Sequence, residues 1–134
     1  VIIHGSVGSL SGSRMRRGFL AIGGNAGEAT GFELLAGTIV IAGKPGPHTG
    51  LGMRRGSIVL SSTITRRGRK IPCIPPTFTE GAIWRPPFMG LLEKQLLNFS
   101  FPAAQNTAWT GLWQQWHGDT LAGCRGEIMT LVKT

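Results

Sequence analysis

The sequence predicts a parallel β-helix, mainly all-β, with coils of about 19 residues and an irregular cap with a short helix at its C-terminal end. Three observations carry this. Glycines recur in four columns at one period: Gly5/Gly24/Gly43, Gly8/Gly27/Gly46, Gly12/Gly31/Gly50 and Gly18/Gly37/Gly56. Apolar residues keep the same register in Val1/Leu20/Ile39/Ile58, Ile3/Ile22/Ile41/Leu60 and Met15/Leu34/Met53. Between the apolar runs lie small and polar stretches, Ser6 to Arg14 and Asn25 to Glu33, with no room for a helix. A fixed period near 20 residues means stacked units, each burying its apolar face only against its neighbours.

Each repeat holds one short, mostly β-branched run: Val1-Ile2-Ile3, Leu20-Ala21-Ile22, Ile39-Val40-Ile41 and Ile58-Val59-Leu60. Such runs read as strands. One strand per repeat, always returning in the same direction, gives parallel pairing with rungs about 4.8 Å apart. Side chains alternate along a strand, so positions 20 and 22, or 39 and 41, stack inward as aliphatic ladders. The glycines fall at corners, where the backbone turns sharply and often needs φ > 0. Thr49 sits at such a corner, and its truncation to alanine is expected to change little. A leucine-rich horseshoe is the nearest competitor, but it needs several leucines and an asparagine at set offsets that this repeat lacks.

The period decays after Leu60. Ser61-Ser62-Thr63 leads into a basic run from Arg66 to Lys70. Ile71 to Thr77, with Pro72, Pro75 and Pro76, reads as a turn-rich exit. Pro86-Pro87 then opens a helix from Phe88 to Leu97, with positions 88, 91, 92 and 96 on one face. Trp109, Trp113 and Trp116 have the spacing of an apolar helical stripe used for core or interface packing. Gly126 to Val132 reads as a final strand. Residues 1–60 are thus β-helix coils, and 61–134 a non-repeating cap of the same domain. Repeat arrays need such a cap, because an open last coil exposes strand edges and core.

At 134 residues the chain is one domain with room for a core, and its mean hydropathy of +0.09 suits a globular protein. Its apolar runs are far short of a membrane span, and the N-terminus lacks a signal-peptide layout. The chain starts at Val1, inside a repeat strand, so it reads as N-terminally truncated or as docked onto another chain. Cys73 and Cys124 have no metal or redox spacing and read as buried free thiols of a cytosolic protein.

The charge is lopsided. Residues 1–70 carry ten Lys and Arg against Glu28 and Glu33, whereas residues 71–134 carry four of each sign, so the whole net charge of +8 sits on the repeat half. Such a face suits an acidic partner protein, an acidic ligand or nucleic acid. The plain alternative is a solvated surface. The repeat places Arg16-Arg17 and Arg54-Arg55 in the same two columns, with Leu35-Ala36 on the coil between. Two rungs of about 4.8 Å put the pairs roughly 10 Å apart and avoid direct stacking of like charge. Arg16, Arg17, Arg54 and Arg55 are therefore the candidate partner interface. Arg14 lies one coil from Glu33, within reach of a cross-coil pair.

Catalytic patterns are weak. Ala42-Gly43-Lys44-Pro45-Gly46 is only superficially a phosphate loop: Pro45 removes an amide donor and no helix follows. His4, His48 and His117 are dispersed, with His48 at an exposed corner. His117-Gly118-Asp119 is a turn that could hold a His–Asp pair, with no nucleophile in context. The six carboxylates show no paired layout for acid–base work. Asn98-Phe99-Ser100 matches a glycosylation sequon, with nothing else pointing to secretion. No catalytic, cofactor-binding or metal-ligating residue is assigned.

The unit Gly43-x2-Gly46-x3-Gly50-x2-Met53-x2-Gly56-x-Ile58-Val59 resembles the GXGXG-type β-helix. That domain occurs at the C-terminus of the glutamate synthase large subunit and in the β-helical subunit of formylmethanofuran dehydrogenase. The tail, Pro76-Thr77-Phe78, then Leu91-Leu92, then Trp116-His117-Gly118-Asp119 leading to Gly123-Cys124-Arg125-Gly126-Glu127-Ile128, resembles the end of that dehydrogenase subunit. More narrowly, it is similar to the bacterial version in the formyltransferase/hydrolase complex of one-carbon metabolism. The resemblance implies a cytoplasmic, right-handed β-helix acting as a non-catalytic scaffold. It implies an amidohydrolase-like subunit and a formyltransferase subunit as partners, and neither membrane nor nucleic acid. Metal and a methanofuran-type carrier would belong to those partners, with no cofactor on this chain. A free-standing basic module for nucleic acid or an acidic ligand, or a glutamate-synthase-type domain, stays open as the alternative.

Overall fold

The computed structural model describes residues 1–65, 71–98, 101, 109 and 111–132. The basic run at 66–70 and most of the sequon, Phe99 and Ser100, lie outside the described residues.

Strands β1 (Ile2–Ile3), β2 (Phe19–Ile22), β3 (Thr38–Ile41) and β4 (Ser57–Thr65) each open one coil. They pair in parallel with the register the repeat predicts: Ile3 with Ile22, Ile22 with Ile41, and Ile41 with Leu60. Only turns and short irregular stretches join them. After these come β5 (Thr79–Trp84), α1 (Phe88–Asn98), β6 (Trp113–Gly118), a 3-10 turn (Thr120–Ala122) and β7 (Gly126–Val132). Among the described residues the strands form one sheet in the order β1-β2-β3-β4-β7-β6-β5. β7 pairs in parallel with β4, Ile58 facing Ile128 and Val59 facing Met129, so the tail adds one more rung to the ladder. β6 and β5 then continue the sheet antiparallel.

The glycine columns have two different causes. Gly12, Gly31 and Gly50, like Gly18, Gly37 and Gly56, sit at positive φ, where a Cβ is strained. The Gly8/Gly27/Gly46 and Gly5/Gly24/Gly43 columns have no such φ; from the second coil on, each of these glycines lies too close to the preceding coil for a side chain. A Cβ on Gly46 would lie 2.4 Å from the Gly27 carbonyl oxygen, and one on Gly43 would lie 2.3 Å from that of Gly24. Polar side chains tie the coils at the same corners. Ser6 Oγ accepts from the Asn25 amide and Asn25 Oδ1 from the Lys44 amide, each at 2.9 Å. Thr30 and Thr49 are fully buried and donate back to the carbonyls of Gly27 and Gly46. The expectation of an indifferent Thr49 is thereby corrected: its hydroxyl is spent inside the corner, and its amide donates to the Cys73 carbonyl.

Two apolar cores flank the parallel sheet. The inner one fills the coils with Leu20, Ile22, Ile39, Ile41, Ile58, Leu60 and Ile128, closed off by Leu34, Met53, Cys73, Phe78 and Trp116. The outer one goes beyond the sequence expectation. Ala21, Val40, Val59 and Met129 point out of the coil and lie under α1, Phe101, Trp109 and Trp113. Two expectations for the cap change. The buried face of α1 is Met89, Leu92 and Leu96, with Leu91 exposed and Phe88 at the margin, because the helix is turned so that Met89 meets the sheet. The three tryptophans are not a helical stripe. Trp113 and Trp116 lie on β6, three positions apart, so they face opposite sides and enter the outer and inner core respectively.

Candidate interaction site

The arginine pairs occupy the corners that precede β2 and β4. Leu35 and Ala36 amides both donate to the Met15 carbonyl, and Arg54 and Arg55 amides both donate to that of Leu34. The same turn thus holds Leu35-Ala36 and Arg54-Arg55 at equivalent places on successive coils, one and two repeats after Arg16-Arg17. Arg16, Arg17, Arg54 and Arg55 are all exposed, with the half-buried Leu35 and Ala36 between the pairs. Arg54 and Arg55 meet a third arginine, Arg125, which lies outside the repeat. Together with Leu35, Ala122, Gly123 and Arg125 they line an open groove of about 470 Å³. Arg16 and Arg17 do not line it. Arg125 has a readable signal that the repeat alone does not expose: Arg17-Gly18, Arg55-Gly56 and Arg125-Gly126 each stand at the start of a strand of the same ladder.

The carboxylates nearby are committed elsewhere. Glu33 pairs with Arg14 at 3.5 Å, the cross-coil contact the repeat predicts. Glu127 accepts from Ser57 Oγ at 2.7 Å and from Gln115 Nε2. Asp119 is buried and accepts from the amides of Gly52 at 2.9 Å and Leu121 at 3.0 Å. The Asp119 carboxylate therefore fixes the cap to the third coil, and the His–Asp pairing suggested by His117-Gly118-Asp119 gives way to that structural role. Cys73 is buried as expected, and burial pushes its thiol up to about 11, so it stays protonated at neutral pH. Cys124 is exposed instead, in the turn beside the groove at φ 57. Among the described residues no cluster of three His, Cys, Asp or Glu could hold a metal ion, and no helix is long and apolar enough to cross a membrane.

A second groove, about 320 Å³, runs between α1 and the starts of β2 to β4 and is lined by Phe19, Phe88, Leu91, Leu92, Glu127 and neighbours.

No protein-family model matches the chain, and neither does any curated protein. A solved structure does. In the formyltransferase/hydrolase complex (FhcABCD) from Methylorubrum extorquens, determined in complex with methylofuran, one chain matches with a TM-score of 0.79 and 30% sequence identity. The chain is similar to a subunit of the formyltransferase/hydrolase complex. The match covers 99% of this chain, coils and cap together, and 45% of the matched one. It therefore spans less than half of that subunit's length. It agrees with the resemblance read from the glycine columns and the tail, and with a solenoid of 19-residue coils.

Proposed function

We propose that this chain is a non-catalytic β-helical scaffold in a formyltransferase/hydrolase complex of one-carbon metabolism. The observation that carries the reading is the match over 99% of the chain to a subunit of such a complex. The chemistry of the chain agrees with it. Asp119 is spent on the amides of Gly52 and Leu121, and Cys73 is buried with its thiol held protonated at neutral pH. The partners are an amidohydrolase-like subunit and a formyltransferase subunit, which hold the metal and the methanofuran-type carrier. The setting is the cytoplasm. Arg16, Arg17, Arg54 and Arg55 face these partners, since an extended β-helix offers one long ladder of repeated surface positions along which separate subunits can be aligned.

Deleting the chain from its host tests the reading. The hydrolase and formyltransferase subunits should then run apart in size-exclusion chromatography and reassemble when the chain is restored. Partners that remain together without it would refute a scaffold role.

A further inference from the structure

We propose that the groove formed by Arg54, Arg55 and Arg125 is a carboxylate-binding site that takes an acidic segment of a partner protein. Complex membership, as proposed above, is what makes a protein segment the expected occupant. The register sets up the site. Ser57 pairs with Glu127, so Arg55 and Arg125 each lie two residues before a paired position on directly adjacent rungs. Rungs stand about 4.8 Å apart, and like charges so placed repel. The alternation that separates Arg17 from Arg55 by the uncharged Ala36 is abandoned at this one step.

Among the described residues, nothing inside the fold offsets that repulsion. Arg54, Arg55 and Arg125 have no ion pair or side-chain hydrogen bond there, and Glu33, Glu127 and Asp119 are all engaged elsewhere. Three guanidinium groups around one concavity call for oxyanions, and the fork of a guanidinium matches a carboxylate in two parallel hydrogen bonds. The remaining walls, Leu35, Ala122 and Gly123, suit the methylenes of aspartate and glutamate side chains. Among the described residues no aromatic ring lines the groove, so it lacks the stacking platform that single-stranded nucleic acid uses. Its volume of about 470 Å³ is that of a pocket taking a multi-atom ligand rather than one small ion.

The test uses the full chain and a labelled hexapeptide of alternating aspartate and glutamate, read by fluorescence anisotropy at low salt. The peptide should bind, and the Arg55→Gln/Arg125→Gln variant should bind it at least about tenfold more weakly. Leu35→Glu, which places an internal carboxylate beside the arginines, should weaken binding in the same way. Without peptide, Arg125→Gln should melt at or above the temperature of the parent, because one member of a repelling pair is gone. Arg125→Lys should keep the charge and recover only part of the affinity. Unchanged peptide binding in both the double variant and Leu35→Glu would overturn the proposal. So would a lowered melting temperature with intact binding, which would make Arg125 a packing residue. An oligonucleotide held more tightly than the peptide by the same arginines would overturn the carboxylate assignment. These readouts need no partner protein, so a failed groove and a failed complex assignment remain distinguishable.

Discussion

The inward ladder makes a quantitative demand at Ile41. Its side chain is fully buried in a central coil, paired with Ile22 on one side and Leu60 on the other. Ile41→Ala deletes three carbons from the inner core. At about 0.8 kcal/mol for each buried methylene, the transfer loss alone is about 2.4 kcal/mol. The rungs above and below are held by backbone hydrogen bonds and cannot collapse inward, so a cavity cost is added, giving about 3–4 kcal/mol. Ile3 stands in the same ladder, but on the end coil, where it is only half-buried. Ile3→Ala should cost about 1–2 kcal/mol by the same scaling. Urea denaturation followed by circular dichroism gives both numbers, with the m-value checking that each variant unfolds in one step. A cost at Ile41 below about 1 kcal/mol, or an Ile3 cost equal to it, would refute the assignment of these residues to one closed ladder.

Four further outcomes follow from the corners and the cap. Gly46→Ala should abolish stable folding, because its Cβ would fall 2.4 Å from the Gly27 carbonyl oxygen, whereas Gly8→Ala in the same column meets open space and should be tolerated; melting curves separate the two. Thr49→Val keeps the shape but loses the bond to the Gly46 carbonyl, and should cost about 1 kcal/mol in denaturant titration. Cys124 should react with a maleimide in the native protein and Cys73 only on unfolding. Because the Cys73 thiol is raised from 9.0 to about 11 in the fold, its contribution is fully present below pH 9 and is lost as pH rises through 11. Cys73→Ala should flatten that alkaline fall in a pH series of melting temperatures.

Periodicity decides how much of the molecule is legible in its sequence. The coils can be read residue by residue because identical positions stack, and one register error would put glycine and isoleucine in the same column. The final strand shows in its apolar run, although its place beside β4 does not. The outer core is present in the same runs: Ala21, Val40 and Val59 lie between inward residues, and strands buried on both faces read as unbroken apolar stretches. β6 escapes for a related reason. Trp113, Gln114 and Trp116 are all buried, one in each core and one against Gly81, which erases the alternation that marks a strand. The groove is half legible. Arg54 and Arg55 come from the repeat; Arg125 shares their Arg-Gly step before a strand, but it joins them only because the chain returns from the cap to the ladder, a long-range pairing that the step alone does not specify.

Assembly with formyltransferase and hydrolase subunits, as proposed above, is decided by isolating a tagged copy from the native host at low salt and analysing it by native mass spectrometry. Both partner subunits should accompany the chain in fixed stoichiometry and dissociate as salt rises. Recovery of the chain alone, with neither partner present at any salt concentration, would refute the assembly.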